Sequence, residues 1–143
     1  MSIEYTITSD HRRLDLAAIH AFLSRSYWSP GIPLSVVEKA VANSVAFGAF
    51  LGEQQVAFAR VVTDKATFAY LADVYVLEAH RGRGLARRLL QAIDTHDDLQ
   101  GLRRFMLATR DAHDLYAEFG FKPLANPSRM MERWNPDVYR PAP

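Results

Sequence analysis

The sequence contains no cysteine. Disulfide stapling, thiolate catalysis and cysteine-ligated metal centres are therefore excluded. The five histidines are dispersed, and none stands at metal-ligand spacing from a carboxylate, so no metal is expected. A Gly-x-Ser-x-Gly elbow is missing too, which argues against a serine hydrolase. Neither sign of charge is in excess: 17 basic and 16 acidic residues leave a formal +1. With no basic field and no like-charge block, neither nucleic acid nor a membrane surface is an expected partner. No apolar run is long enough to span a bilayer. The opening Met1-Ser2-Ile3-Glu4-Tyr5-Thr6 lacks the basic start and apolar run of a secretory signal. A cytoplasmic location is the expectation.

What is present suits one domain over residues 1–143, since 49% of the residues are hydrophobic and can fill a core. Residues 3–8 read as a first strand. Residues 10–26 repeat apolar side chains at helical spacing (Leu14, Ala17, Ala18, Phe22, Leu23). Tyr27-Trp28-Ser29-Pro30-Gly31-Ile32-Pro33 breaks that helix, and Pro33 can open a second one running to Asn43. The period then turns strand-like: residues 45–51 and 55–62 form a hairpin about Gly52-Glu53, and residues 67–76 a third strand. A helix over residues 84–95, a strand over 102–108 and a short helix over 111–119, closed by Gly120, follow. Residues 121–124 and 129–133 read as a last strand pair. Residues 135–143, with three prolines, read as a loosely held tail. This order implies an α+β or α/β domain with one sheet covered by helices.

The chemistry concentrates in Asp73-Val74-Tyr75-Val76-Leu77-Glu78-Ala79-His80-Arg81-Gly82-Arg83-Gly84-Leu85-Ala86-Arg87-Arg88. A strand passes through a glycine-bearing loop into an amphipathic helix. Such a helix start leaves about four backbone N–H groups unpaired and carries roughly +0.5 charge. Gly82 and Gly84 lack Cβ and let the backbone approach an anion closely. Arg81, Arg83, Arg87 and Arg88 add charge-assisted donors. This is a pyrophosphate cradle; a glycine turn before an ordinary helix with a solvated basic face would use the same residues. Dinucleotide and ATP folds fit worse, because neither Gly-x-Gly-x-x-Gly nor Gly-Lys-Ser/Thr occurs here.

These residues resemble the signature of the GNAT acyltransferase superfamily. Its Arg/Gln-x-x-Gly-x-Gly/Ala pattern is met by Arg81, Gly84 and Ala86, and the longer form's Arg-Gly-x-Gly by Arg81-Gly82-Arg83-Gly84. A second family element is met by Ala112, Leu115-Tyr116 and Gly120-Phe121. Two departures stand out: Glu78 where many relatives carry proline, and Thr109 where asparagine is usual. The resemblance implies a mixed, mostly antiparallel sheet of about six to seven strands with about four helices and a splayed central parallel strand pair. It implies acetyl-CoA as co-substrate and direct attack by a primary amine of a small molecule or peptide. Val74 and Val76 would pair with pantetheine. Residues Arg81 to Ala86, including Leu85, would hold the pyrophosphate, and Thr109 and Ala112 would join the cofactor set. A homodimer is the oligomer allowed for.

Under that resemblance Tyr116 is the candidate general acid, protonating a thiolate whose ordinary pKa is about 8.5. The alternative is a tyrosine that packs with Leu115 and Phe119. Asp73, flanked by apolar residues, needs a partner or a task, because an unpaired buried carboxylate is costly. It is a base or amine anchor, or else a structural hydrogen-bond acceptor; both stay open, with Tyr70 a further candidate on the acceptor side. Tyr27 and Trp28 would stack on an acceptor or pack their loop. Arg60 would face the same cavity and favour an acceptor bearing a carboxylate. His113, on the helix before Tyr116, would line the site or else be an ordinary exposed helix residue, the favoured reading. A non-catalytic acyl-CoA-binding module and an unrelated nucleotide-binding protein are the rival readings.

Overall fold

The computed structural model describes residues 4–140. The beginning of the expected first strand, at Ile3, and the last residues of the expected tail lie outside that span. Five strands form one sheet in the order β1 (Thr6–Thr8), β2 (Val45–Leu51), β3 (Gln54–Thr63), β4 (Phe68–Val76), β5 (Arg104–Leu107). All neighbours run antiparallel except β4 and β5, which are parallel. Helices α1 (Leu16–Leu23) and α2 (Leu34–Ala42) cover one face, and α3 (Leu85–Thr95) covers the other. The small helix α4 (His113–Ala117) follows β5. No described helix is long and apolar enough to cross a membrane.

Burial on both faces explains why β2 and β3 read as nearly continuous apolar runs. On the α3 face, Leu85, Leu89, Leu90 and Ile93 project from one side of the helix onto Phe47, Ala57 and Val61. Burying each of those helix side chains contributes roughly 1.5–3 kcal/mol. On the other face Ile19, Leu23, Val37 and Val41 pack against Ala46, Phe58 and Tyr75.

Three expectations need correction. The helix expected over residues 10–26 is split, because Asp10 and Asp15 each cap a separate turn. Asp10 closes a 3₁₀ turn over His11–Arg13, Leu14 is extended, and Asp15 accepts from Ala18 N–H to start α1. Pro33 is the extended residue before α2 rather than its first helical residue. The sheet also has five strands, not six to seven, because residues 121–124 and 129–133 form no ladder. Pro123 and Pro127 lack the N–H a ladder needs, and Pro127–Arg129 folds into a 3₁₀ turn. In the described part of the following tail, Tyr139 packs onto the α1–α2 cluster beside Gly31.

Candidate active site

The parallel pair β4–β5 is short. Its register runs only from Phe68 opposite Arg104 to Leu71 opposite Leu107. β5 then ends while β4 continues to Val76, so one edge of β4 is left open. Leu77 N–H donates to Val56 O at 2.8 Å, toward β3. Strand alternation therefore turns the N–H and C=O of Val76 and Val74 to the open side. The splay opens a groove of about 620 Å³, lined by Val74 and Val76 of β4, the loop at Arg81–Gly82, the start of α3, and Ala112, Leu115 and Tyr116.

A bulge sits at the head of this open edge. Arg60 pairs with Ala72 and Phe58 with Tyr75, so Asp73 and Val74 oppose Ala59 alone. Asp73 takes the left-handed conformation, φ +56°. Its two carboxylate oxygens are both engaged: Trp28 Nε1–H donates to Oδ1 at 2.8 Å, and Arg60 Nε–H donates to Oδ2 at 2.8 Å. The pair is mostly buried, with Asp73 10% and Arg60 18% exposed at the side chain. Arg60 also donates to Ser44 Oγ at 3.2 Å. The guanidinium is therefore engaged by Asp73 and Ser44, and each carboxylate oxygen of Asp73 already accepts one hydrogen bond. Asp73 and Arg60 thus satisfy one another, which supports the structural reading of Asp73 among the two left open.

At the opposite end, Gly82 and Gly84 both have left-handed backbones, φ +77° and +75°. A Cβ built on either would meet no heavy atom within 4 Å. The space beside these glycines is open. α3 begins at Leu85 with no side-chain cap, and Arg88 N–H is the first to reach back, to Gly84 O at 3.1 Å. Among the described residues, no protein acceptor takes the N–H groups of Gly82 through Arg87. Unpaired N–H groups at a helix start are suited to an anion.

The arginines around it are mostly committed elsewhere. Arg81 Nε–H donates to Val76 O at 3.0 Å, fastening the loop to β4. Arg83 and Arg88 both turn to Tyr5, whose hydroxyl also shares a hydrogen bond with His80 Nδ1. Arg87 pairs with Glu118 through two bonds of 2.9 and 3.1 Å, tying α3 to the end of α4. The side chain of Arg83 is thus turned away from the groove, and Thr109 lies outside it, its Oγ1 accepting from Ala112 N–H.

Tyr116 is half-buried on α4 and faces the groove, and its hydroxyl donates to no described residue. Burial first, then the neighbourhood of Tyr27 and Asp111, pushes its pKa above the ordinary phenol value. The helix is closed by Gly120 at φ +87°, and Phe121 N–H returns to Tyr116 O at 3.2 Å.

The match to known proteins follows this architecture. The Acetyltransferase (GNAT) domain family matches residues 42–123, from β2 through α4. The chain belongs to the GNAT acetyltransferase family. A candidate acetyltransferase of Gibberella zeae is 32% identical over 138 residues, covering 80% of this chain and 77% of that protein. A crystal structure of a candidate GNAT-family acetyltransferase from Xanthomonas campestris pv. campestris is 50% identical, with a TM-score of 0.94. It covers 96% of this chain and 98% of its own. A candidate acetyltransferase with acetyl-CoA from Clostridium acetobutylicum shares the fold at 16% identity and a TM-score of 0.65. That match covers 92% of this chain and 95% of the other.

Within this GNAT chain the loop between α1 and α2 reaches the groove. Trp28 lines the groove, Tyr27 is exposed, and the Arg110 guanidinium stacks 3.9 Å from the Tyr27 ring. Tyr70 stays in the paired part of β4, opposite Met106 and Val62, away from the groove lining. Sequence reading missed Phe22, which lines the groove and stacks on Tyr75 at 3.9 Å. It also missed His80. Phe22 reads only as one more apolar residue at helical spacing, so no local signal marks it.

Asp73→Asn tests the strut reading of that residue. The change leaves Arg60 half-buried without its anion, so stability should fall by about 3 kcal/mol, the low end for a broken buried pair. The pH–rate profile should keep its shape. Unchanged melting with activity recovered at high pH would instead restore Asp73 as the base.

Proposed function

We propose that this chain transfers the acetyl group of acetyl-CoA to a primary amine of a small molecule or peptide, by direct attack in a ternary complex. The observation that carries the reading is a single groove holding three things. They are the open edge of β4, the unpaired N–H groups before α3, and the partnerless hydroxyl of Tyr116.

The backbone from Gly82 to Ala86 would hold the pyrophosphate, with the α3 macrodipole favouring the same charge. Leu85 and Ala86 contribute through backbone N–H groups. Val74 and Val76 would pair with the pantetheine amides; Val76 offers chiefly its N–H, since Arg81 already occupies its carbonyl. Ala112 closes the far wall. An N–H at the Asp73–Val74 bulge would stabilise the developing oxyanion, a contribution of about 3–4 kcal/mol where one such donor is lost. Tyr116 gives its proton to the departing sulfur. The Arg60–Asp73–Trp28 network keeps the bulge in place and holds the indole at the groove mouth. Tyr27 and Trp28 would meet the acceptor.

Acetyl-CoA should raise the melting temperature, because a ligand bound by the folded state alone stabilises it by RT ln(1 + [L]/Kd). ATP and NAD should not compete. Competition by either would favour a nucleotide-binding protein instead.

A further inference from the structure

His80 lines the groove beside Arg81 and Gly82, at the end where the unpaired N–H groups gather. Its Nδ1 lies 2.9 Å from the hydroxyl of Tyr5, and the two rings meet edge-on, 5.8 Å apart at 85°. Its other ring nitrogen, Nε2, has no partner among the described residues. Tyr5 decides which nitrogen carries the proton. The Tyr5 hydroxyl has a single hydrogen, and it accepts from Arg83 Nη1–H at 3.3 Å. A guanidinium cannot accept in return, so His80 Nδ1 is the one described acceptor for the phenol proton. A proton on Nδ1 would orphan that phenol hydrogen on a residue only 9% exposed. Nδ1 therefore accepts, and the ring proton sits on Nε2. Arg88 Nη2–H holds the Tyr5 carbonyl at 3.1 Å, so Tyr5 is fixed at both ends.

Donation thus runs from Arg83 to Tyr5 to His80, and each bond polarises the next. The relay starts at a cation turned away from the groove and ends on an unpartnered donor of a groove-lining ring. No Asp or Glu lines the groove to receive that donor. We propose that His80 Nε2–H donates to the diphosphate of the bound CoA moiety, with Tyr5 and Arg83 as positioning residues that set its tautomer. This rests on acetyl-CoA as the bound donor. Backbone N–H groups meet the diphosphate at the start of α3. His80 adds a side-chain donor beside them, and the charge of Arg83 reaches the ligand through the two hydrogen bonds of the relay.

Calorimetry of the full chain with CoA, and with dephospho-CoA, which lacks the ribose phosphate, reads the contact without turnover. His80→Phe keeps an aromatic ring and should weaken both ligands about tenfold, the scale of one hydrogen bond to a charged group. Tyr5→Phe should weaken CoA about threefold in the wild-type background and not at all in the His80→Phe background. Long-range proton–nitrogen NMR of the wild type needs no variant. It should show His80 protonated at Nε2 alone, with a signal that shifts on adding CoA or dephospho-CoA and stays in place with pantetheine, which has no diphosphate. Equal CoA affinity in wild type and His80→Phe would overturn the proposal while leaving the cofactor reading intact; a wild type that binds no CoA would overturn both. A loss seen with CoA and absent with dephospho-CoA would overturn the diphosphate assignment, and a proton on Nδ1 would overturn the relay.

Discussion

Gly84→Val should abolish the thermal stabilisation that acetyl-CoA gives the wild type. At a hundredfold excess over Kd that stabilisation is about 2.7 kcal/mol, roughly 8 °C for a domain of this size. Two effects act together. Valine at φ +75° is strained, by about 1–2 kcal/mol for a left-handed residue with a Cβ. Its side chain also enters space empty of protein atoms, where the pyrophosphate would approach the N–H groups. Strain alone lowers the melting temperature without removing the ligand shift. Gly52→Val separates the two. Gly52 also has a left-handed backbone with nothing within 4 Å, but it sits in the β2–β3 turn outside the groove lining. It should melt lower and still respond to acetyl-CoA. Equal responses in both variants would remove the cradle assignment.

Tyr116→Phe should lower kcat roughly 100-fold, the lower end for a lost general acid, with little change in KM for acetyl-CoA. The ring that packs near Phe121 is kept. The hydroxyl has no described protein partner, so its loss orphans nothing and melting should barely change. Burial raises the phenol pKa, so the proton remains on the oxygen through neutral and mildly basic solution. The wild type should therefore show no loss of kcat attributable to phenol ionisation between about pH 7 and pH 9. A variant with wild-type kcat and a lowered melting point would make Tyr116 a packing residue.

The backbone geometry of the glycine loop was legible because its signal is local. A strand, two glycines and an amphipathic helix in succession dictate where unpaired N–H groups and left-handed turns must fall, and Gly82 and Gly84 take those conformations. Leu85, Leu89, Leu90 and Ile93 likewise announce the buried face of α3. The partners of the arginines beside them were not legible because they are distant in sequence. Tyr5 draws Arg83 from 78 positions away and Arg88 from 83, and Glu118 draws Arg87. Asp73 has the same history. Its burial was visible, but its partners Arg60 and Trp28 meet it only through the β3–β4 register and the α1–α2 loop. The bulge depends on a mismatch between two strands, which neither strand carries alone.

The most direct measurement is release of free CoA thiol from acetyl-CoA across a panel of small amines, amino acids and peptides with free amino termini. The groove, the cradle and the free Tyr116 hydroxyl together predict release that depends on both enzyme and amine, with N-acetylated product formed in equal amount. Tight acetyl-CoA binding with no amine-dependent release from any member of the panel would contradict it, and would leave an acyl-CoA-binding module.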